Sequence, residues 1–345
     1  MFDLKNIRRL TFWVGLCATT PASVSVGAWP GAAVKVEIPC SDGTSQPAMW
    51  YTPPDEAPKP LLVGLHTWST NWTSADKDTA YADWCIKQGW AFIHPDFRGP
   101  NKTPLSMGSD RAVQDIVEAV AWAQKKSRID PSRIYLIGVS GGGHMALQMA
   151  GRHPELWAGV SAWCGISDIA QWHSEHVIQG KADKYAQNIE AVLGGSPATN
   201  PAFKDEAWKR SPLSSLASAK IPLDINHGIH DGRKGSVPFS HSLRAYNAAV
   251  PEGAALDAKK ISEYYKTQVR PSGWDEASPD PVYGKWKPVF RATEGNTRVT
   301  LFEGGHEIVY QAALNWLALQ RKDKPANWDV TNFIPLETAG GDSGK

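Results

Sequence analysis

The sequence predicts an α/β fold, with a mostly parallel central sheet and helices on both of its faces. Three observations carry the prediction. Strand-like apolar runs alternate with helix-like stretches along most of the chain, the order from which parallel sheets are built. One run, Leu61 to Leu65, is apolar throughout, as strands buried on both faces are. A third run, Arg133 to Val139, passes through a glycine-rich turn straight into the helix-forming stretch Met145 to Ala150. At 345 residues the chain is long enough to bury a large core.

Taken in order, Val34 to Ile38 and Ala48 to Thr52 read as an antiparallel pair about a polar turn at Asp42-Gly43. The proline-rich stretch Pro53 to Pro60 connects them to the Leu61 strand, which ends at His66-Thr67-Trp68-Ser69. A helix from Thr79 to Gln88 stops at Gly89, and Trp90 to His94 is the next strand. Asp110 to Lys126 is amphipathic, with Val113, Ile116, Val117 and Val120 on one face. After the central strand comes another at Trp157 to Trp163, the sixth. The alternation then lapses over 165–220, which reads as an insertion after that strand. It resumes with a seventh strand, Ile221 to His227, and a helix from Pro238 to Ala249. A second insertion, 251–297, precedes the strand Arg298 to Phe302 and a helix from Ile308 to Gln320. The predicted domain is 29–336, and the polar, Gly-rich tail 337–345 is expected to be flexible. No internal repeat is present.

Charge is balanced, with Lys+Arg 36 against Asp+Glu 35 and a net charge of +1. No block of like charge points to nucleic acid or to a polybasic membrane surface. The first 28 residues read as a signal peptide. Lys5, Arg8 and Arg9 precede a short apolar run from Leu10 to Ala18, and Val26-Gly27-Ala28 offers a cleavage site before Trp29. The run is too short to span a bilayer. A secreted or periplasmic protein without a membrane anchor after processing is expected. Cys17 falls within this leader. Cys40, Cys85 and Cys164 remain, form no metal-ligand pattern and allow at most one disulfide, its pairing left open. No metal or cofactor is expected, and the oligomeric state is not legible.

The stretch Gly138-Val139-Ser140-Gly141-Gly142, set between strand and helix, has the context of a nucleophile elbow. A sharp turn there lifts the Ser140 hydroxyl clear of the sheet. The helix just beyond turns free N–H groups toward it. A serine nucleophile needs a base, and the base needs an orienting acid. Asp231 follows the strand Ile221 to His227, and His306 follows the strand ending at Phe302, each in a loop. Asp224 sits in mid-strand and Glu303 is too close in sequence to His306, so Asp231 is the better acid. An oxyanion would need two N–H donors: Gly141 can supply one, and Thr67 or Trp68 the other. His66 reads as a hydrogen-bonding scaffold for that loop.

These residues resemble the α/β-hydrolase superfamily, and within it the prolyl-oligopeptidase and acetyl-xylan-esterase-like branch. The matching pieces are Gly138 to Ala146, His94-Pro95-Asp96-Phe97-Arg98-Gly99, Ser211-Pro212-Leu213, Lys220-Ile221-Pro222, His227-Gly228-x-x-Asp231 and Gly305-His306. The resemblance covers about Leu61 to Leu319 and implies an α/β-hydrolase fold with Ser140, Asp231 and His306 as nucleophile, acid and base. Three departures stand out. The usual His-Gly after the third strand is His66-Thr67 here, the run after Asp231 is stretched and carries Arg233 and Lys234, and the path from Asp231 to His306 holds an insertion. The activity implied is that of a serine hydrolase working through an acyl-enzyme, without cofactor, on an ester or a peptide bond alike.

Among 16 tryptophans, Trp68, Trp72, Trp163 and Trp172 fall at or after the C-terminal ends of strands, where α/β sheets bind ligands. They suggest a sugar or aryl acyl group, and so a carbohydrate esterase acting on a polysaccharide or smaller ester. Arg98 and Arg233 are expected at the pocket rim, where a guanidinium can bind a carboxylate. The rival reading is a serine peptidase of the same branch without a propeller domain. A hydrolase fold kept only for binding would be expected to have lost one of the three residues, and none is missing.

Overall fold

The computed structural model describes residues 28–75 and 78–336. Residues 1–27 of the expected leader and the tail 337–345 lie outside the described residues. In chain order the strands are β1 (Val34–Pro39), β2 (Ser45–Tyr51), β3 (Lys59–Leu65), β4 (Ala91–Pro95), β5 (Ile129–Val139) and β6 (Gly159–Trp163). A hairpin of β7 (Val177–Ile178) and β8 (Lys181–Ala182) follows, then β9 (Leu223–Gly228), β10 (Pro288–Glu294) and β11 (Thr297–Phe302). The helices are α1 (Thr79–Gln88), α2 (Asp110–Lys126), α3 (Gly141–Arg152), α4 (Ile169–Glu175) and α5 (Lys184–Leu193). They continue with α6 (Pro201–Lys209), α7 (Ser240–Ala249), α8 (Ala258–Thr267) and α9 (Tyr310–Leu319).

Nine strands form one sheet in the order β1-β2-β4-β3-β5-β6-β9-β11-β10. The run from β4 to β11 is parallel, while β1, β2 and β10 join it antiparallel at the two edges. This is the α/β-hydrolase architecture. The expected β1–β2 pair is present, with Val34 opposite Trp50.

Side-chain alternation divides the core into two layers. Leu61, Val63 and Leu65 of β3, with Ile134 and Leu136 of β5, share a buried cluster with α2, α3, α7 and α8. Leu62, Tyr135, Ile137 and Val139 point the other way and pack with α1 and α9. Helix boundaries follow local chemistry. Ser109 caps α2 by accepting from the Ala112 N–H, and Gly89, at φ +66°, ends α1 in a left-handed turn.

The two insertions are more ordered than their sequences suggest. Residues 165–220 contain α4, the β7–β8 hairpin, α5 and α6, packed on a third cluster that includes Trp68, Ile169, Trp172, Ile189 and Leu193. The stretch 251–297, expected as an insertion, holds α8 and the edge strand β10. That strand begins at a proline and is bulged between Pro288 and Phe290, features tolerated at an edge that hide it in the sequence. Cys40, Cys85 and Cys164 are all buried free thiols. No helix among the described residues is long and apolar enough to cross a membrane.

Candidate active site

The parallel strands end on one side of the sheet, and the loops after β3, β5, β6, β9 and β11 meet there. Ser140 is the residue between β5 and α3, with φ 60° and ψ −120°. Such a backbone costs a non-glycine residue on the order of 1–3 kcal/mol and persists only where its surroundings impose it. Here the Ser140 N–H donates to the Trp163 carbonyl at 2.8 Å, and its carbonyl accepts from His144 N–H at 2.8 Å. The flanking glycines let the turn close: a Cβ at Gly138 would strike the Gly142 carbonyl, and one at Gly142 would strike that of Leu65.

His306 stands beyond β11 with Nδ1 2.5 Å from Asp231 Oδ2. Asp231 is fully buried and accepts from four groups. Oδ2 also receives His227 Nε2 at 2.9 Å, while Oδ1 receives the N–H groups of Gly232 at 2.8 Å and Val237 at 3.2 Å. Burial opposes ionisation of this carboxyl, but the hydrogen bonds from His227 and His306 outweigh it and hold the group well below the usual carboxylate range. Ser140 and His306 line one cavity of about 230 Å³, together with Thr67, Trp68, Tyr185, Ser236 and Ile308. Among the described residues no hydrogen bond joins Ser140 to His306, although both line this cavity.

The Thr67–Trp68 peptide lies against Gly141, where an added Cβ would strike the Trp68 nitrogen. His66 Nδ1 lies 2.9 Å from the Thr67 carbonyl, and Asn101 N–H donates to the Trp68 carbonyl at 2.9 Å. These contacts fix the loop. Trp68 N–H has no acceptor among the described residues, and Gly141 N–H opens the first turn of α3, where helix donors are unpaired. The Trp68 amide nitrogen lies against the start of α3, next to Ser140.

Cys164, just past β6, is buried with polar atoms of Asp231 and His306 within 4.8 Å. Asp231 and His306 already engage those atoms with each other, and burial, with Asp231 nearby, pushes the Cys164 thiol well above its ordinary pKa. A neutral thiol is a poor metal ligand. The rejected acids are occupied elsewhere: Asp224 pairs with Arg298 at 2.8 Å and Glu303 with His230 at 2.6 Å.

The expected substrate-binding residues require correction. Trp163 is fully buried, its Nε1 donating to Ser161, and belongs to the core beneath the site. Trp172 is 1 % exposed and stands behind the cavity wall, edge-on to Trp68 and donating to the Ser236 carbonyl at 2.8 Å. Trp72 lies under the Lys35 ammonium, 5.3 Å away, outside the cavity. Arg98 turns to the buried carboxylate of Asp115 at 2.6 Å and to Asp42 at 2.7 Å, since a buried anion needs a partner. Arg233 donates to the carbonyls of Tyr265 and Lys266 in the last turn of α8, the helix that the sequence reading omits. Of the added cations, Lys234 alone borders the site. It lines a broader groove of about 590 Å³ on the other side of His306, with Lys285 and Trp286.

Three residues at the site were not read as such from the sequence. His227 opens the His-Gly-x-x-Asp motif, and its spacing to Asp231 was the available signal. Tyr185 and Ser236 are brought in by α5 and the stretched loop, and nothing local marks them.

An α/β-hydrolase sheet with a serine at the elbow and an Asp–His pair across the cavity defines the class. Residues 78–263, more than half of the chain, match the model of the prolyl oligopeptidase family. The chain belongs to that family. It is 24% identical over 204 residues to dipeptidyl aminopeptidase BIII of Pseudoxanthomonas mexicana, covering 56% of this chain and 28% of that protein. It is 28% identical over 238 residues to feruloyl esterase B of Neurospora crassa, covering 64% of this chain and 72% of that one. The structure of the uncomplexed Pyrococcus horikoshii acylaminoacyl peptidase superposes with a TM-score of 0.51 at 19% identity, covering 63% of this chain and 34% of that one. The chain thus spans about a third or less of the length of these peptidases.

Proposed function

We propose that the protein is a serine hydrolase that cleaves a carboxylic ester through an acyl-enzyme, most naturally an ester carried by a carbohydrate. One observation carries this: the Asp231–His306 hydrogen bond opens onto the cavity that Ser140 lines. In this reading His306 Nε2 takes the Ser140 proton as Oγ attacks the carbonyl carbon. The oxyanion forms toward the N–H groups of Gly141 and Trp68, and Asp231 holds the imidazolium. His306 then returns the proton to the leaving alcohol, and water repeats the sequence to free the acid. The alcohol leaves past His306, toward the groove of Lys234, Lys285 and Trp286, whose polar and aromatic lining suits a sugar.

The ester reading is supported by the esterase relative, most of whose length this chain matches. The peptidase reading draws on the aminopeptidase relative and stands second. A panel decides between them: p-nitrophenyl acetate and butyrate, acetylated xylan and methyl ferulate against prolyl and alanyl p-nitroanilides. Turnover confined to the esters is the expected result; faster turnover of an anilide would reverse the order. Export to the periplasm or medium is part of the proposal, resting on the leader-like sequence of residues 1–28. The mature protein should begin near Trp29, whose ring packs on His94 at 5.1 Å. An active protein retaining Met1 would refute export with cleavage.

A further inference from the structure

We propose that His227 is a positioning residue, a fixed Nε2–H donor that holds the Asp231 carboxylate for His306. His227 is fully buried in β9, one turn of chain before Asp231. Its Nε2 lies 2.9 Å from two acceptors, Asp231 Oδ2 and the Val237 carbonyl. Neither can donate, so Nε2 carries the proton. Nδ1 lies 2.7 Å from the Ser242 hydroxyl of α7, which can donate to a bare Nδ1 or accept from a protonated one. Every contact is satisfied with the proton on Nε2.

The consequence falls on one atom. Asp231 Oδ2 is shared by His306 and His227, while Oδ1 takes two backbone donors. The carboxylate cannot rotate without breaking several bonds at once, and its charge is divided between two imidazoles. A carboxylate relieved of His227 would hold a proton on His306 more strongly and aim its ring less well. The other titratable groups around Asp231 and His306 are Cys164, Glu307, Tyr185, Tyr265, Lys234, Lys285 and the His230–Glu303 pair. Of these only the Cys164 thiol reaches Asp231, as a weak sulfur donor that also faces the Gly305 and Glu307 carbonyls, so they do not replace His227.

The inference rests on the triad reading, and Ser140→Ala separates the two: hydrolysis surviving in that variant defeats the triad itself. His227→Leu keeps bulk and removes the donor, whereas His227→Gln keeps an N–H near the Nε2 position. The Leu variant should lose roughly tenfold in kcat, the low end for a charge-assisted hydrogen bond, with KM little changed. The acid limb of its kcat/KM profile should move to higher pH by roughly half a unit to one unit. The Gln variant should recover most of both. A Leu variant with the wild-type profile, or a Gln variant as impaired as Leu, overturns the proposal. Should the Leu variant fail to fold, imidazole nitrogen NMR on the wild type decides: a proton on His227 Nε2 supports the role, and a bare Nε2 removes it.

Discussion

The Gly141 backbone lies directly on the Thr67–Trp68 peptide, so that a Cβ at position 141 would collide with the Trp68 amide nitrogen. The two proposed oxyanion donors therefore come as a packed pair, and their spacing depends on a missing methyl group. Gly141→Ala should leave a folded protein, because only a loop must move, but displace the Trp68 N–H. Loss of one such donor lowers kcat by about 10²–10³ with little change in KM. A kcat within a few-fold of wild type would place the second donor elsewhere.

The nucleophile role proposed for Ser140 coincides with backbone strain, and two substitutions separate these. Ser140→Ala and Ser140→Gly should both reduce hydrolysis by several orders of magnitude, roughly 10³–10⁶. Glycine accepts φ 60° and ψ −120° without the steric penalty, so the Gly variant should be the more stable by about 1 kcal/mol. Thermal melts of the two variants make the comparison. Equal melting temperatures would mean that the turn stores no strain.

Asp224, inside β9, and Asp231, in the loop beyond it, are both buried carboxylates, and their partners set them apart. Asp231→Asn should lower kcat strongly, because an amide cannot stabilise the imidazolium of His306. Asp224→Asn leaves Arg298 buried without its counter-ion, which costs about 3–5 kcal/mol of stability with kcat per folded molecule preserved. Acid titration adds a check. A carboxyl held below its ordinary value stabilises the fold above that value, and the gain is lost as pH falls. The stability gap between wild type and Asp231→Asn should therefore narrow below about pH 4. If Asp224→Asn is the variant that loses turnover, the acid has been misassigned.

The sequence is most readable where local chemistry decides the structure. Asp110 to Lys126 and Thr79 to Gln88 are helices over those spans, because a cap, an apolar stripe or a terminal glycine marks the ends. The alternation of elements likewise places Ser140, Asp231 and His306 on one edge of the sheet. The first insertion misleads for a physical reason. Its polar and glycine residues cap short helices, with Asp168, Asp183 and Asn200 as N-caps and Gly194 as a C-cap. The tryptophans and arginines mislead differently, because position after a strand says nothing about side-chain direction. Trp163 turns into the core, and Arg98 answers a carboxylate distant in sequence.

Tyr185 offers the sharpest test of what the first insertion does for the site. It stands at the start of α5, where the Asp183 side chain caps the helix and fixes its first turn. Its ring packs against Trp172 at 5.1 Å and His176 at 4.9 Å, so it is held as one wall of the 230 Å³ cavity. If the proposed ester hydrolysis takes place here, a wall in a pocket that small limits the acyl group, and each methylene that cannot be seated is worth about 1–3 kcal/mol in kcat/KM. Tyr185→Ala should leave kcat/KM for p-nitrophenyl acetate within a few-fold of wild type, since the reacting carbonyl stays on Ser140. The same variant should gain at least several-fold on hexanoate or a feruloyl ester. Parallel losses on short and long esters would mean that Tyr185 supports the fold of the insertion without setting acyl size. A selective gain on long chains would establish the insertion as the element that sets the size of the group accepted at Ser140.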